Sequence, residues 1–178
     1  MRSAHAMRME MRGGPHVEVY HYSAVFVVVT ALLAVVIQAF LGRLGPVGKF
    51  VELPLLVTIY FGLSRRNASR GLLLGMTIGL MQDGISRVPV GLYGISKTVV
   101  GYLSSTIGAR IDVEHPLSRL AFGFIFFHVQ QVVLAATQRV LLGRPVPFFD
   151  RRLLLASLVN AVLAPLLFPL LDRFRKAD

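Results

Sequence analysis

Residues 22–42 read YSAVFVVVTALLAVVIQAFLG. These 21 residues contain no Asp, Glu, Lys or Arg. At helical rise they extend about 30 Å, the thickness of a bilayer's hydrocarbon core. Ser23, Thr30 and Gln38 are the main polar interruptions, and Gln38 lies near enough to one end to reach an interface or another helix. One such stretch excludes an ordinary water-soluble bundle. It is longer than the core of a secretory signal, no small-residue cleavage site ends it, and more apolar segments follow. An uncleaved anchor is therefore expected.

Working outward, five more apolar segments appear. The second covers 47–64, with Lys49 and Glu52 at its entrance and Pro54 soon after. A helix beginning near Glu52 is expected, since proline suits a first helical turn and an acid suits the positive helix end. A re-entrant hairpin is the alternative. The remaining segments are 69–86, 90–109, 120–138 and 153–171, and Pro165 and Pro169 are expected to kink the last. The whole chain of 178 residues is 54% hydrophobic and 16% charged, with a mean hydropathy of +0.65 and a formal charge of +10. A soluble domain carries about 25% charged residues. The cations punctuate apolar runs instead of clustering as a nucleic-acid footprint would, so no nucleic-acid partner is expected. Without cysteine there is no disulfide, thiol nucleophile or thiolate metal site. These features predict an all-α integral membrane protein of six transmembrane helices. Residues 1–21 form an amino tail, 22–171 the membrane domain and 172–178 a carboxyl tail.

Six spans put both termini on one side. If that side is the cytoplasm, its loops and tails carry eleven Lys and Arg against seven on the opposite side, with Lys97 assigned to neither. The bias matches the positive-inside rule and predicts cytoplasmic termini.

Gly71, Gly75 and Gly79 recur every four residues, and Asp83 continues the spacing. All four share one helix face, where small residues permit close packing in lipid. After the turn containing Pro89 and Gly91, the next segment carries Gly94, Gly101 and Gly108 at sevenfold spacing, a complementary face. Lys97 lies inside this segment. It can snorkel, or it can meet Asp83 if the two helices fold antiparallel. Asp83 itself reads either as an interfacial turn residue or as part of a partner interface or polar cavity. Glu52 is a third polar member or a surface residue at its helix entrance. His128 and Gln131 lack the companions of a metal site, and His128 reads as a hydrogen-bonded helix residue. No phosphate loop, dinucleotide fingerprint, HExxH site or diagnostic triad occurs, so no cofactor, metal or enzymatic activity is expected.

The order of several features resembles the rod-shape-determining protein MreD family. Pro54-Leu55-Leu56, Tyr60 and Arg65-Arg66 look like that family's second span. Gly71 to Gly75, then Gly79-Leu80 and Asp83, are followed by Pro89-Val90-Gly91-Leu92 and Val100-Gly101-Tyr102-Leu103, which look like its next helix. The similarity spans roughly 22–176. It implies a non-enzymatic, multi-pass inner-membrane component of the bacterial elongation machinery that supports rod shape. The implied partners are MreC and, directly or indirectly, MreB, RodA and the elongation-specific penicillin-binding protein, together with membrane lipids. Pro54, Gly75, Gly79, Asp83, Pro89 and Gly91 match the family pattern as structural or interface positions. Gly71, Gly94, Lys97 and Gly101 join them from the residue reading above. The family also resembles, at the level of fold, the substrate-binding membrane subunits of energy-coupling-factor transporters. The alternative function is accordingly a substrate-binding subunit of a small-molecule transporter.

Overall fold

The computed structural model describes residues 22–43, 45, 47–86, 88–110, 115–144, 146–147 and 150–174. The amino tail, Arg87, Asp112, Glu114, Phe148, Phe149 and the last four residues lie outside them. The described residues form six α-helices and one short 3-10 turn. These are α1 (Ala24–Leu41), the 3-10 turn (Val47–Lys49), α2 (Leu53–Arg65), α3 (Ala68–Ser86), α4 (Leu92–Gly108), α5 (Pro116–Leu142) and α6 (Arg151–Asp172).

Three helices, α1, α5 and α6, are long and apolar enough to cross a membrane. Among the others, α2 is a shorter apolar helix of 13 residues. The exposed faces of the long helices carry Val25, Leu33, Phe40, Ile125, Val162 and Leu166. Water would penalise that surface, whereas a bilayer accepts it. The all-helical chain is a membrane protein.

Position follows from which faces are apolar. Every residue of 54–64 is buried, and α2 touches all five other helices. A helix apolar all round belongs at the centre of a bundle. The α3–α4 hairpin makes the most extensive helix contact in the molecule. A Cβ at Gly71 would collide with the Gly101 carbonyl, one at Gly75 with that of Lys97, and one at Gly79 with that of Tyr93. The two helices therefore run antiparallel with backbone against backbone along three turns. The complementary face on α4 includes Gly94 and Gly101, as the sevenfold row predicts, together with the backbone of Tyr93 and Lys97; Gly108 alone of that row turns elsewhere. Gly94 meets Leu80 and Asp83, and Gly108 packs on Leu63 of α2. The hairpin turn needs Gly91, whose φ of +106° lies in the left-handed region.

Helix α5 exceeds the expected 120–138 at both ends. Its first turn is capped by His115, whose Nδ1 accepts from the Leu117 N–H at 3.2 Å, and it ends at Gly143 with φ +62°. Arg119, which falls between the expected segments 90–109 and 120–138, is buried inside that helix, where it has an anionic partner. Helix α6 continues through Pro165 and Pro169 to Asp172.

Candidate functional site: a buried charge pair at the mouth of the central helix

Helix α2 is entered by the non-helical residues 50–52, and non-helical backbone in apolar surroundings must find partners for its N–H and C=O groups. Side-chain amides from two helices supply them. From α1, Gln38 Nε2 donates to the Val51 carbonyl at 2.7 Å, while its Oε1 accepts from the Leu53 N–H at 3.0 Å. From α6, Asn160 Oδ1 accepts from the Glu52 N–H at 2.9 Å, and its Nδ2 donates to the Phe50 carbonyl at 2.7 Å. Pro54 sits in the first turn of α2, where its missing N–H costs nothing. The backbone of Glu52 is thereby fixed with its side chain turned into the bundle.

The Glu52 carboxylate meets Lys97 of α4, whose Nζ lies 3.3 Å from Oε2. Lys97 is fully buried, so it does not snorkel, and its partner is Glu52 and not Asp83. The reason is local. Gly75 packs on the Lys97 carbonyl, which holds this turn of α4 against the bundle and sends the side chain inward. The ammonium also donates to Gln130 Oε1 of α5 at 2.7 Å and lies 4.8 Å from the centre of the Tyr93 ring. Gln82 of α3 donates to Glu52 Oε1 at 3.4 Å. Four helices thus converge on one pair of opposite charges. Two buried amide atoms remain unpartnered, Gln82 Oε1 and Gln130 Nε2.

Asp83 does different work. It is 1% exposed, and its carboxylate accepts from the backbone N–H groups of Gly91, Tyr93 and Gly94 at 2.8–3.0 Å. These are donors at the start of α4 with no partner inside the helix, and a carboxylate there also opposes the helix dipole. Its geometry is that of a cap joining α3 to α4. Pro89 belongs to the same turn, where its carbonyl accepts from Leu92.

Two clefts reach the Glu52 member of the pair. One of about 550 Å³ is lined by Gln38, Arg43, Lys49, Glu52, Gln82 and Tyr93 among others. The second, about 500 Å³, shares Lys49, Glu52 and Tyr93 and adds Phe127, Gln131 and Arg152. Glu52 and Tyr93 therefore stand between two openings whose rims are cationic. The His128 ring lies 4.7 Å from that of Phe124. Among the described residues no three His, Asp or Glu side chains gather as metal ligands. The arrangement supplies fixed donors, acceptors and one balanced charge pair.

A second network closes the opposite end of α2. Arg119 Nη2 donates to Asp172 Oδ2 at 2.6 Å, Tyr60 donates to Asp172 Oδ1 at 2.7 Å, and Tyr22 reaches Tyr60 at 2.7 Å. Asp172, expected to end its helix in water, instead ties α6 to α2 and α5.

No sequence spacing joins Gln82, Gln130 or Asn160 to Lys97 and Glu52. A signal for Gln130 existed. It shares a helix face with Gly123, Phe126, Phe127 and Leu134, all buried, whereas Gln131 faces a cleft.

Bundle and site together define a helical membrane protein built round a paired charge. A family model described as rod shape-determining protein MreD matches residues 18–174. The chain belongs to the MreD family, and so to a family concerned with determining rod shape. No curated protein and no solved structure matches it significantly.

Proposed function

We propose that the chain is a non-enzymatic structural and regulatory membrane component of the bacterial cell-wall elongation complex, acting through association with MreC. The observation that carries this reading is the family match over 18–174. On this reading all six helices cross the inner membrane, with both termini cytoplasmic as the cation bias favours. MreB, RodA and the elongation-specific penicillin-binding protein are reached directly or through MreC. The Glu52–Lys97 centre is the functional element. A charge pair joining four helices registers their relative positions, and partner binding at the cationic rim can shift that register. The glycine face of 71, 75 and 79 is internal scaffolding that presents Lys97. The test is depletion in a rod-shaped host together with co-purification. Cells should round up, and MreC should be retained by the tagged wild-type chain. Normal rods after complete depletion would defeat the reading.

A transporter subunit is the second reading, favoured by the two clefts that meet at Glu52. Saturable binding of a candidate vitamin by the purified chain, with uptake after reconstitution with an energising partner, would establish it.

A further inference from the structure

Between α1 and α3 lies an open groove of about 340 Å³, away from the charge pair. Its floor is apolar and buried at Val27, Ala31 and Ile78, while Val28 and Leu73 on its rims are more than half exposed. The α3 wall is one continuous face from Arg70 to Met81. From the first to the last of these twelve residues the helix rises about 16 Å, close to half of the roughly 30 Å hydrocarbon core. The groove is therefore about as long as one leaflet is deep. Thr77 does not interrupt it, because its hydroxyl donates to the Leu73 carbonyl within the helix.

Only one end of the groove is charged. Arg65, the last residue of α2, and Arg70, in the first turn of α3, both line it there. Among the described residues the ion pairs are Glu52–Lys97 and Arg119–Asp172, and neither involves these two arginines. Two guanidinium groups at the membrane surface, heading an apolar channel one leaflet long, match an amphiphile with an anionic head. We propose that this groove holds one anionic phospholipid from the leaflet on the amino-terminal side. Its phosphate sits between Arg65 and Arg70, and one acyl chain lies along the α1–α3 groove. Guanidinium forks suit phosphate geometry, and basic residues at a membrane surface draw anionic lipid. A free phosphate would use the arginines and leave the apolar channel unexplained.

The experiment is native mass spectrometry of the full chain in detergent, titrated with phosphatidylglycerol or with phosphatidylcholine of the same acyl chains. One phosphatidylglycerol should bind in preference. Arg70→Gln should weaken that preference about fivefold, and Arg65→Gln with Arg70→Gln should abolish it. Thr77→Phe, an exposed substitution that fills the channel, should lower retention of both lipids. Equal binding of the two lipids would overturn the proposal, as would unchanged preference in the double variant. Full competition by glycerol phosphate, which has no acyl chain, would overturn it in favour of a plain anion site. A dimer in place of the lipid adduct would assign the groove to a second copy.

Discussion

Helix α2 carries a charged network at each end, and the two differ in ways that separate scaffold from site. At the Asp172 end the ion pair is short, 2.6 Å, and each carboxylate oxygen accepts a bond from a named donor. Its side chains keep 8% and 20% exposure. At the Glu52 end the pair is looser, 3.3 Å, with a fully buried lysine. Two amide atoms beside it lack partners, and two clefts open onto its Glu52 member. A tight, satisfied network holds helices together. A buried, loosely satisfied one is costly to keep and has capacity left for another group. The first is a clamp, and the second is the centre proposed above as functional.

The largest expected effect comes from breaking the deep pair on one side. Lys97→Met leaves Glu52 buried without its cation and should cost about 3–5 kcal/mol, read as a fall in thermal stability of the detergent-solubilised protein. Adding Glu52→Gln to that variant should recover most of the loss, since removing both charges removes the uncompensated one. If the double variant is no more stable than the single, the pair is not the unit described here.

Next come Gly75→Leu and Gly79→Leu. Each side chain would meet a backbone carbonyl of α4, with an overpacking cost of about 3 kcal/mol or more because backbone cannot rotate away. Membrane accumulation should drop in both, and MreC association with it. Normal accumulation with lost association would move the glycine face from scaffold to partner surface.

Asp83→Ala should cost about 2 kcal/mol by freeing three N–H groups at the start of α4. A melting curve reads this loss. No change would mean that water replaces the carboxylate fully, contrary to its burial.

The smallest effect is expected at the clamp. Arg119→Met should cost less than Lys97→Met, because the Asp172 left behind is 20% exposed and keeps the bond from Tyr60. A loss equal to that of Lys97→Met would erase the contrast between the two ends.

Much of the scaffold was legible in the residues. Apolar runs bounded by cations located all six helices, and the fourfold glycine row placed α3 against α4. What periodicity could not give was the partner of each polar group. Asp83 and Lys97 are neighbours in sequence across one turn, which made them the natural pair. The pairing observed joins residues 45 apart and depends on how α2 enters the bundle. That entry is built by Gln38 and Asn160, whose role exists only once α1 and α6 are assembled. Helix ends depart from the apolar pattern where a charge is neutralised inside the fold. Arg119 read as a boundary because its counter-ion lies 53 residues away.

The most direct test replaces the chain in a rod-shaped host with three versions at matched membrane levels: wild type, the charge-free centre Glu52→Gln with Lys97→Met, and the clamp variant Arg119→Met. Rods are expected from wild type and from the clamp variant, and round cells from a charge-free centre that still accumulates. Rods from the charge-free centre would contradict the functional role proposed for the pair, leaving it as structure alone.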